Sequence, residues 1–367
     1  MKKHNFSAGP CILPQEVLKK ASEAVVNFNG IDLSLIEISH RSKEFIEVME
    51  NARNLVKELL NLPEGYSVLF LQGGASLEFL MAAYNLLKVG GKAGYLDTGT
   101  WSSKAIKEAK LLGEVEVFAS SKDQSYNYIP KNYTVPTDVD YVHCTSNNTI
   151  FGTQLKEFPK TDSLLVCDMS SDIFSRQLDF NKFDLIYAGA QKNMGPAGTT
   201  LVVVKDEILG KTGRTIPSML DYQVHISKDS MFNTPPVFAV YVSMLTLQWL
   251  KDLGGISAIE KINQEKATLL YNEIDRNSLF IGFAEKEDRS LMNVTFNLID
   301  EAYKEAFDKL WNDAGISGLK GHRSVGGYRA SIYNAMPIES IQVLVDVMQQ
   351  LEKNYKTKNQ KDESISK

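Results

Sequence analysis

Residues 163–204 read SLLVCDMSSDIFSRQLDFNKFDLIYAGAQKNMGPAGTTLVVV. Three short, nearly continuous apolar runs stand in this stretch, at 163–168, 184–188 and 200–204, each bounded by Gly, Asp or Pro. Such runs predict strands buried on both faces. Asp168 closes the first run and Lys192 follows the second at once, 24 residues later (192 − 168). Open α/β sheets gather ligand groups at the carboxyl ends of their strands. Two neighbouring strands would therefore present Asp168 and Lys192 at one sheet edge. The connections between the last runs are too short for crossover helices, so one strand is expected to run antiparallel.

Outward from this stretch the same texture continues. Further strands are predicted at 67–71, 93–97, 115–119 and 140–145, with helical patterns at 75–88 and 102–112. Upstream, 14–28 is helical in pattern. From Glu44 to Leu60, Phe45, Val48, Met49, Ala52, Leu55, Val56 and Leu59 recur at helical spacing. Strands alternating with helices imply an α/β layer built on a mostly parallel sheet of seven strands. Downstream, PPVFAVYVSMLTLQWLKD at 235–252 is apolar almost all round, as in a helix buried in the core or at a subunit contact. Gly254 and Gly255 end it. From about 256 a long amphipathic helix opens a second block, with strands at 291–297 and 328–333 and helices at 301–313 and 337–354. The expected organisation is an N-terminal segment 1–15, a large domain 16–255, a smaller α+β domain 256–355 and a frayed polar tail 356–367. A chain of 367 residues suits two unequal domains of this kind.

Bulk composition narrows the function. Net charge is −5 (40 basic minus 45 acidic), which offers no nucleic-acid surface or polybasic membrane anchor. There is no run of eighteen apolar residues, so no transmembrane helix is expected. The short apolar stretch after the basic N-terminus is broken by Pro10 and Pro14, which argues against a signal peptide. Cys11, Cys144 and Cys167 are odd in number and lack metal-ligand spacing. They are expected to be buried thiols in a reducing compartment, hence the cytoplasm, and no metal site is expected.

The segment AGAQKNMGPAG (188–198) surrounds Lys192 with small residues that allow close approach of ligand and backbone. A lysine desolvated there has a lowered pKa and becomes a nucleophile toward carbonyls, although a lone loop lysine is more often simply exposed. A carboxylate such as Asp168 can keep a pyridine nitrogen protonated while the lysine forms an imine with the aldehyde of the same ring. In LQGGASLEF (71–79) a strand ends, two glycines turn the chain and a helix starts. Its free N–H groups offer an anion site over Ala75 and Ser76. It is not a Walker A loop. DTGTW (97–101) ends another strand, and Trp101 could stack on a flat ring. CTSNNTIFGTQ (144–154) ends a third in Asn147, Asn148 and Thr149. The dipeptide His-Arg occurs twice, as His40–Arg41 and His322–Arg323, with Arg329 close behind. Guanidinium forks suit carboxylate and phosphate oxygens, so these residues suggest an anionic substrate held between domains.

Taken together, FSAGP, SHRS, TGTW, CTSNNTIFG, DMSS, AGAQKNMGP, NTPP and GHRSVGGYRASIYNAMP resemble the phosphoserine aminotransferase family, from about residue 5 to 354. That family belongs to the class V aminotransferases of fold type I, which use pyridoxal phosphate. The resemblance implies a cytoplasmic homodimer acting on L-glutamate and 3-phosphohydroxypyruvate. Some members also accept the phosphorylated hydroxythreonine precursor of vitamin B6. It implies that Lys192 carries the cofactor as a Schiff base and that Asp168 pairs with the pyridinium nitrogen. Trp101 would stack on the ring and Thr149 would bond its phenolic oxygen. Ala75, Ser76 and Gln191 would take the phosphate, with Asn233 and Thr234 reaching the other subunit's cofactor. Arg41 would meet the substrate carboxylate, and His40, His322, Arg323 and Arg329 would line the anion pocket. Two positions depart from the family pattern. Asn148 stands in an Asn-Asn-Thr where Asn-Glu-Thr is common, and Glu78 stands where Gln is frequent. Three other readings compete: a type I lyase or desulfurase with a mobile cysteine, a cofactor-free Schiff-base lysine enzyme, and a non-catalytic protein that kept the fold.

Overall fold

The computed structural model describes residues 3–365, with side chains described through Lys356. The chain opens with a short strand β1 (His4–Asn5) and helix α1 (Gln15–Val26), then α2 (Lys43–Leu59). Ser42 caps α2, its hydroxyl accepting the Phe45 N–H at 3.4 Å. The predicted stripe on α2 is the buried one: Phe45, Val48, Met49, Ala52, Leu55 and Val56 face inward. There follow β2 (Tyr66–Leu71), α3 (Gly74–Leu86), β3 (Lys92–Asp97), α4 (Thr100–Ala109), β4 (Glu114–Ser120) and β5 (Tyr141–Thr145). A small hairpin of β6 (Asn147–Asn148) and β7 (Thr153–Gln154) comes next, then β8 (Leu164–Asp168), β9 (Leu185–Gly189) and β10 (Thr200–Lys205). After α5 (Tyr222–Ile226), the apolar helix α6 (Val237–Asp252) lies against α1 and α2.

Seven of these strands form one sheet in the order β2-β10-β9-β8-β5-β3-β4. β10 is antiparallel to both neighbours, and all other pairings are parallel. This is the expected mixed sheet with one reversed strand. Helices cover both faces, so β2, β5 and β9 are buried along their whole length. Edge strand β4 is only half-covered. Because β8 sits between β5 and β9, the carboxyl ends carrying Thr145, Asp168 and Gly189 lie side by side.

The remaining chain builds a second layer. Helix α7 (Gly255–Arg276) leads into β11 (Phe280–Gly282), β12 (Asn293–Leu298), α8 (Lys304–Asp313), β13 (Ile316–Ser317), β14 (Tyr328–Ser331) and α9 (Ile338–Ile365). β11, β12 and β14 form an antiparallel sheet in that order, packed on the helices. α7 belongs to both cores, giving Ile256 and Ile259 to one and Ala267, Leu270 and Ile274 to the other. The N-terminal segment returns here. β1 pairs in parallel with β13, and Phe6 and Ile12 are buried in the second core. Burying Phe6 fully contributes roughly 2–3 kcal/mol to this clasp. The tail read from sequence as frayed continues α9 as far as Ile365; residues 366 and 367 lie outside the described residues. Among the described residues, no helix is long and apolar enough to cross a membrane.

Candidate active site

A cavity of about 300 Å³ opens at the carboxyl edge of the large sheet. It is lined by Ala75, Ser76, Trp101, Thr149, Asp168, Gln191, Lys192, His322 and Arg329, which the sequence singled out one by one. They come from the ends of five strands, from the loop before β14 and from β14 itself, so only the fold brings them together. A larger groove of about 860 Å³ runs along 156–163 and 178–184, at the opposite ends of β8 and β9. None of the chemistry-bearing residues lines it, and the smaller cavity is the candidate site.

Lys192 follows β9 in a tight turn, where its own N–H and that of Gly195 both donate to the Ala190 carbonyl. Its Nζ donates to Thr149 Oγ1 at 2.9 Å and stands 5.8 Å from the centroid of the Trp101 ring. Burial pushes the lysine pKa down to about 8. Asp168 opposes this shift and Arg329 adds to it. About a tenth of the amine is therefore neutral at pH 7, far more than for an ordinary lysine, and it is the neutral form that attacks a carbonyl. Asp168 is buried at the end of β8, and one of its carboxylate oxygens accepts the Ser170 N–H at 2.9 Å. Burial raises its pKa, against the hydrogen bonds from Ser170 and the charge of Lys192. A cationic partner beside it would remove that penalty.

The turn at 72–76 leaves the start of α3 without a side-chain cap, an arrangement that suits an anion. Gly73 has φ 96°, and a Cβ there would stand 2.5 Å from the Leu77 side chain, so only glycine fits. Helix α3 then starts at Gly74 with no side-chain cap, leaving its first N–H groups toward the cavity. At the other end of the site, Asp97 gathers four hydroxyl donors, from Ser102, Ser103, Ser120 and Tyr126, within 3.1 Å. It thereby fixes the start of α4, which carries Trp101. Arg329 donates to the Thr149 carbonyl at 3.2 Å. Behind it a polar seam joins the two layers. Asn147 Nδ2 donates to Asn293 Oδ1 at 2.8 Å, and Asn293 Nδ2 donates to Ser331 Oγ and Tyr333 Oη.

The site residues fit pyridoxal phosphate. Thr145 Oγ1 and Trp101 Nε1 are buried without a partner in the cavity wall, as polar atoms awaiting a ligand are. A desolvated amine, a buried carboxylate, an indole face and an uncapped helix start match an aldehyde, a pyridine nitrogen, a flat ring and a phosphate in turn.

Other predicted residues are not in this cavity. Arg41 and Arg323 are exposed, and His40 is half-buried with Nε2 unpartnered. Asn233 and Thr234 lie behind the glycine turn at 72–76. Asn233 donates to Gln72 Oε1 at 2.7 Å, and Gln72 donates to the Thr234 carbonyl at 2.8 Å. Sequence reasoning did not assign Ala8, Gly9, Thr145, Ser170 or Ser171, which also line the cavity. FSAGP and DMSS were the available signals. Cys11 lies beside the lysine, but its thiol donates to the Lys192 carbonyl at 2.6 Å, and burial pushes its pKa up to about 12. A thiol so held is no desulfurase nucleophile.

A lysine and a carboxylate at the carboxyl edge of a seven-stranded mostly parallel sheet define a fold type I transferase, and residues 3–344 match the family model of class-V aminotransferases. The chain belongs to that family. Within it, the chain is similar to phosphoserine aminotransferases. It is 71% identical to that of Flavobacterium psychrophilum over 353 residues, 96% of this chain and 99% of the relative. It is 58% identical to that of Parabacteroides distasonis over 358 residues, 97% of this chain and 100% of the relative. The solved phosphoserine aminotransferase of Bacillus circulans subsp. alkalophilus superposes with a TM-score of 0.93 at 43% identity, covering 96% of this chain and 99% of that one.

Proposed function

We propose that this aminotransferase moves the amino group of L-glutamate to 3-phosphohydroxypyruvate, giving O-phospho-L-serine and 2-oxoglutarate, a step toward serine. The observation that carries the reading is the joint placement of Lys192, Asp168, Trp101, His322 and Arg329 around one cavity. Lys192, Asp168, Trp101, Thr149, Ala75, Ser76 and Gln191 would hold pyridoxal phosphate. When bound, that group supplies an electron-withdrawing ring which makes the substrate's α-proton removable. Lys192 Nζ is the base that takes this proton and the acid that returns it, a task suited to a pKa of about 8. Asp168 holds a proton on the ring nitrogen through charge pairing. Thr149 orients Nζ through its hydroxyl.

One pocket must accept a carboxylate from the donor and a phosphate from the acceptor. Arg329 and His322 stand in the cavity wall for this purpose. We assign His40, Arg41 and Arg323 to the same anion field, with Asn233 and Thr234 serving the cofactor phosphate of a second copy. A homodimer is the assembly this reading requires. The three free cysteines accord with a reducing, cytoplasmic setting, and the division near Gly254–Gly255 with large and small domains.

The test is an absorbance spectrum of the purified holoenzyme. Glutamate alone should bleach the yellow cofactor band, and 3-phosphohydroxypyruvate should restore it. A yellow protein indifferent to glutamate would overturn the donor. A protein that stays colourless with added pyridoxal phosphate would overturn the role of Lys192.

A further inference from the structure

Trp101 has a second lysine at its ring. Lys104, one turn later on α4, holds its Nζ 4.5 Å from the ring centroid. Its side chain is exposed, and it makes no ion pair among the described residues. Glu108 stands four residues on, the spacing at which helix ion pairs form, yet the ammonium does not turn to it. It leans instead toward the start of α4, where the helix dipole is already positive. There it is close enough to His322 to help depress the imidazole pKa, after burial, Arg329 and Arg323. Trp101, His322 and Arg329 line the cavity, and Lys104 stands over the Trp101 ring just outside that lining, so the charges of Lys104 on α4 and Arg329 in β14 gather on one side of the site. Like charges gathered this way repel one another until an anion neutralises them.

The two substrates differ in the charge they bring to that side of the site. A phosphate monoester carries about −1.5 to −2 at neutral pH, whereas the side-chain carboxylate of glutamate carries −1. Resting on the reading of the function given above, we propose that Lys104 is a specificity-determining residue whose ammonium pairs with the phosphate of the acceptor substrate and does less for glutamate. The indole face of Trp101 holds the ammonium in place by a cation–π contact, so the charge is oriented before the substrate arrives.

The experiment compares Lys104→Met and Lys104→Arg holoenzymes with the unmodified chain, each half-reaction followed separately by cofactor absorbance. An ion pair at a half-wet rim is worth about three- to tenfold in binding. For Lys104→Met, kcat/KM toward 3-phosphohydroxypyruvate should fall about three- to tenfold more than kcat/KM toward glutamate, with the difference carried by KM. Near 1 M salt, where the screening length is about 3 Å, the gap should close. Lys104→Arg should keep the preference within about twofold. Equal losses in both half-reactions would mean that the lysine only steadies Trp101, and would overturn the proposal. So would no loss in either, or a loss confined to kcat. Failure of the unmodified holoenzyme to bleach with glutamate would instead overturn the underlying function, and it is seen before any variant is made.

Discussion

Glu78 should make the fold less stable as pH rises, and Glu78→Gln should remove that effect. Its side chain is fully buried on α3. Oε2 accepts the Tyr222 hydroxyl at 2.6 Å, while Oε1 has no partner. Burial pushes the pKa from an ordinary 4.5 to about 8, and the Tyr222 hydrogen bond only partly offsets it. The folded state therefore keeps a proton that the unfolded chain gives up. The stabilising contribution is complete below pH 4.5 and is lost as pH rises toward 8. At about 1.4 kcal/mol per pH unit the loss across that window has an upper bound of about 5 kcal/mol. Relaxation of the surrounding interior brings it to about 2–3 kcal/mol. Glutamine keeps the shape and the acceptor for Tyr222 but never ionises. Thermal unfolding of both proteins at pH 5.5 and pH 8.5 checks this. The variant should melt a few degrees higher at pH 8.5, at about 2 °C per kcal/mol, and almost level with the parent at pH 5.5. A variant no more stable at pH 8.5, or a difference that does not change with pH, would refute the reasoning.

Other outcomes follow from the site. Lys192→Ala should abolish turnover, and the protein should show no lysine-bound cofactor band; a fully active variant would sink the mechanism. Asp168→Asn should retain the fold and lower the rate of the glutamate half-reaction by about a hundredfold or more, measured by stopped-flow absorbance, because the ring nitrogen loses its charged partner. Capture of pyridoxal phosphate by cofactor-free protein should quicken between about pH 7 and pH 9, since Lys192 with a pKa near 8 is nucleophilic only when neutral. A rate that keeps rising to pH 10 would refute the lowered pKa. Arg41→Ala should raise KM for both substrates with little change in kcat, as steady-state kinetics would record.

How far the sequence reached can be judged from particular elements. The seven strands of the main sheet, the reversed strand and the buried helix at 237–252 were legible because each is long and apolar enough to carry a period. Strands β1, β13, β6 and β7 have two residues each, too few for any pattern, and β11 has three. The clasp of β1 on β13 joins residues more than three hundred positions apart, which local reading cannot see. At 356–365 polarity suggested fraying, but the backbone of α9 continues through it.

The candidate reacting residues were likewise written in the chain. Asp168 and Lys192 stand at strand ends, and a strand end in a parallel sheet points to the ligand edge whatever lies around it. What only the tertiary structure decided is adjacency. Strand order puts β8 between β5 and β9, so Thr149 reaches Lys192 and Asp168 stands beside Thr145. The return of β14 to β12 carries Arg329 to the Thr149 carbonyl, and the seam from Asn147 to Asn293 fixes one layer against the other. The lowered pKa of Lys192, the raised pKa of Glu78 and the turn of Lys104 over Trp101 belong to the same category. They depend on which groups exclude water and which charges lie near, and these are properties of the packed chain rather than of any segment in it.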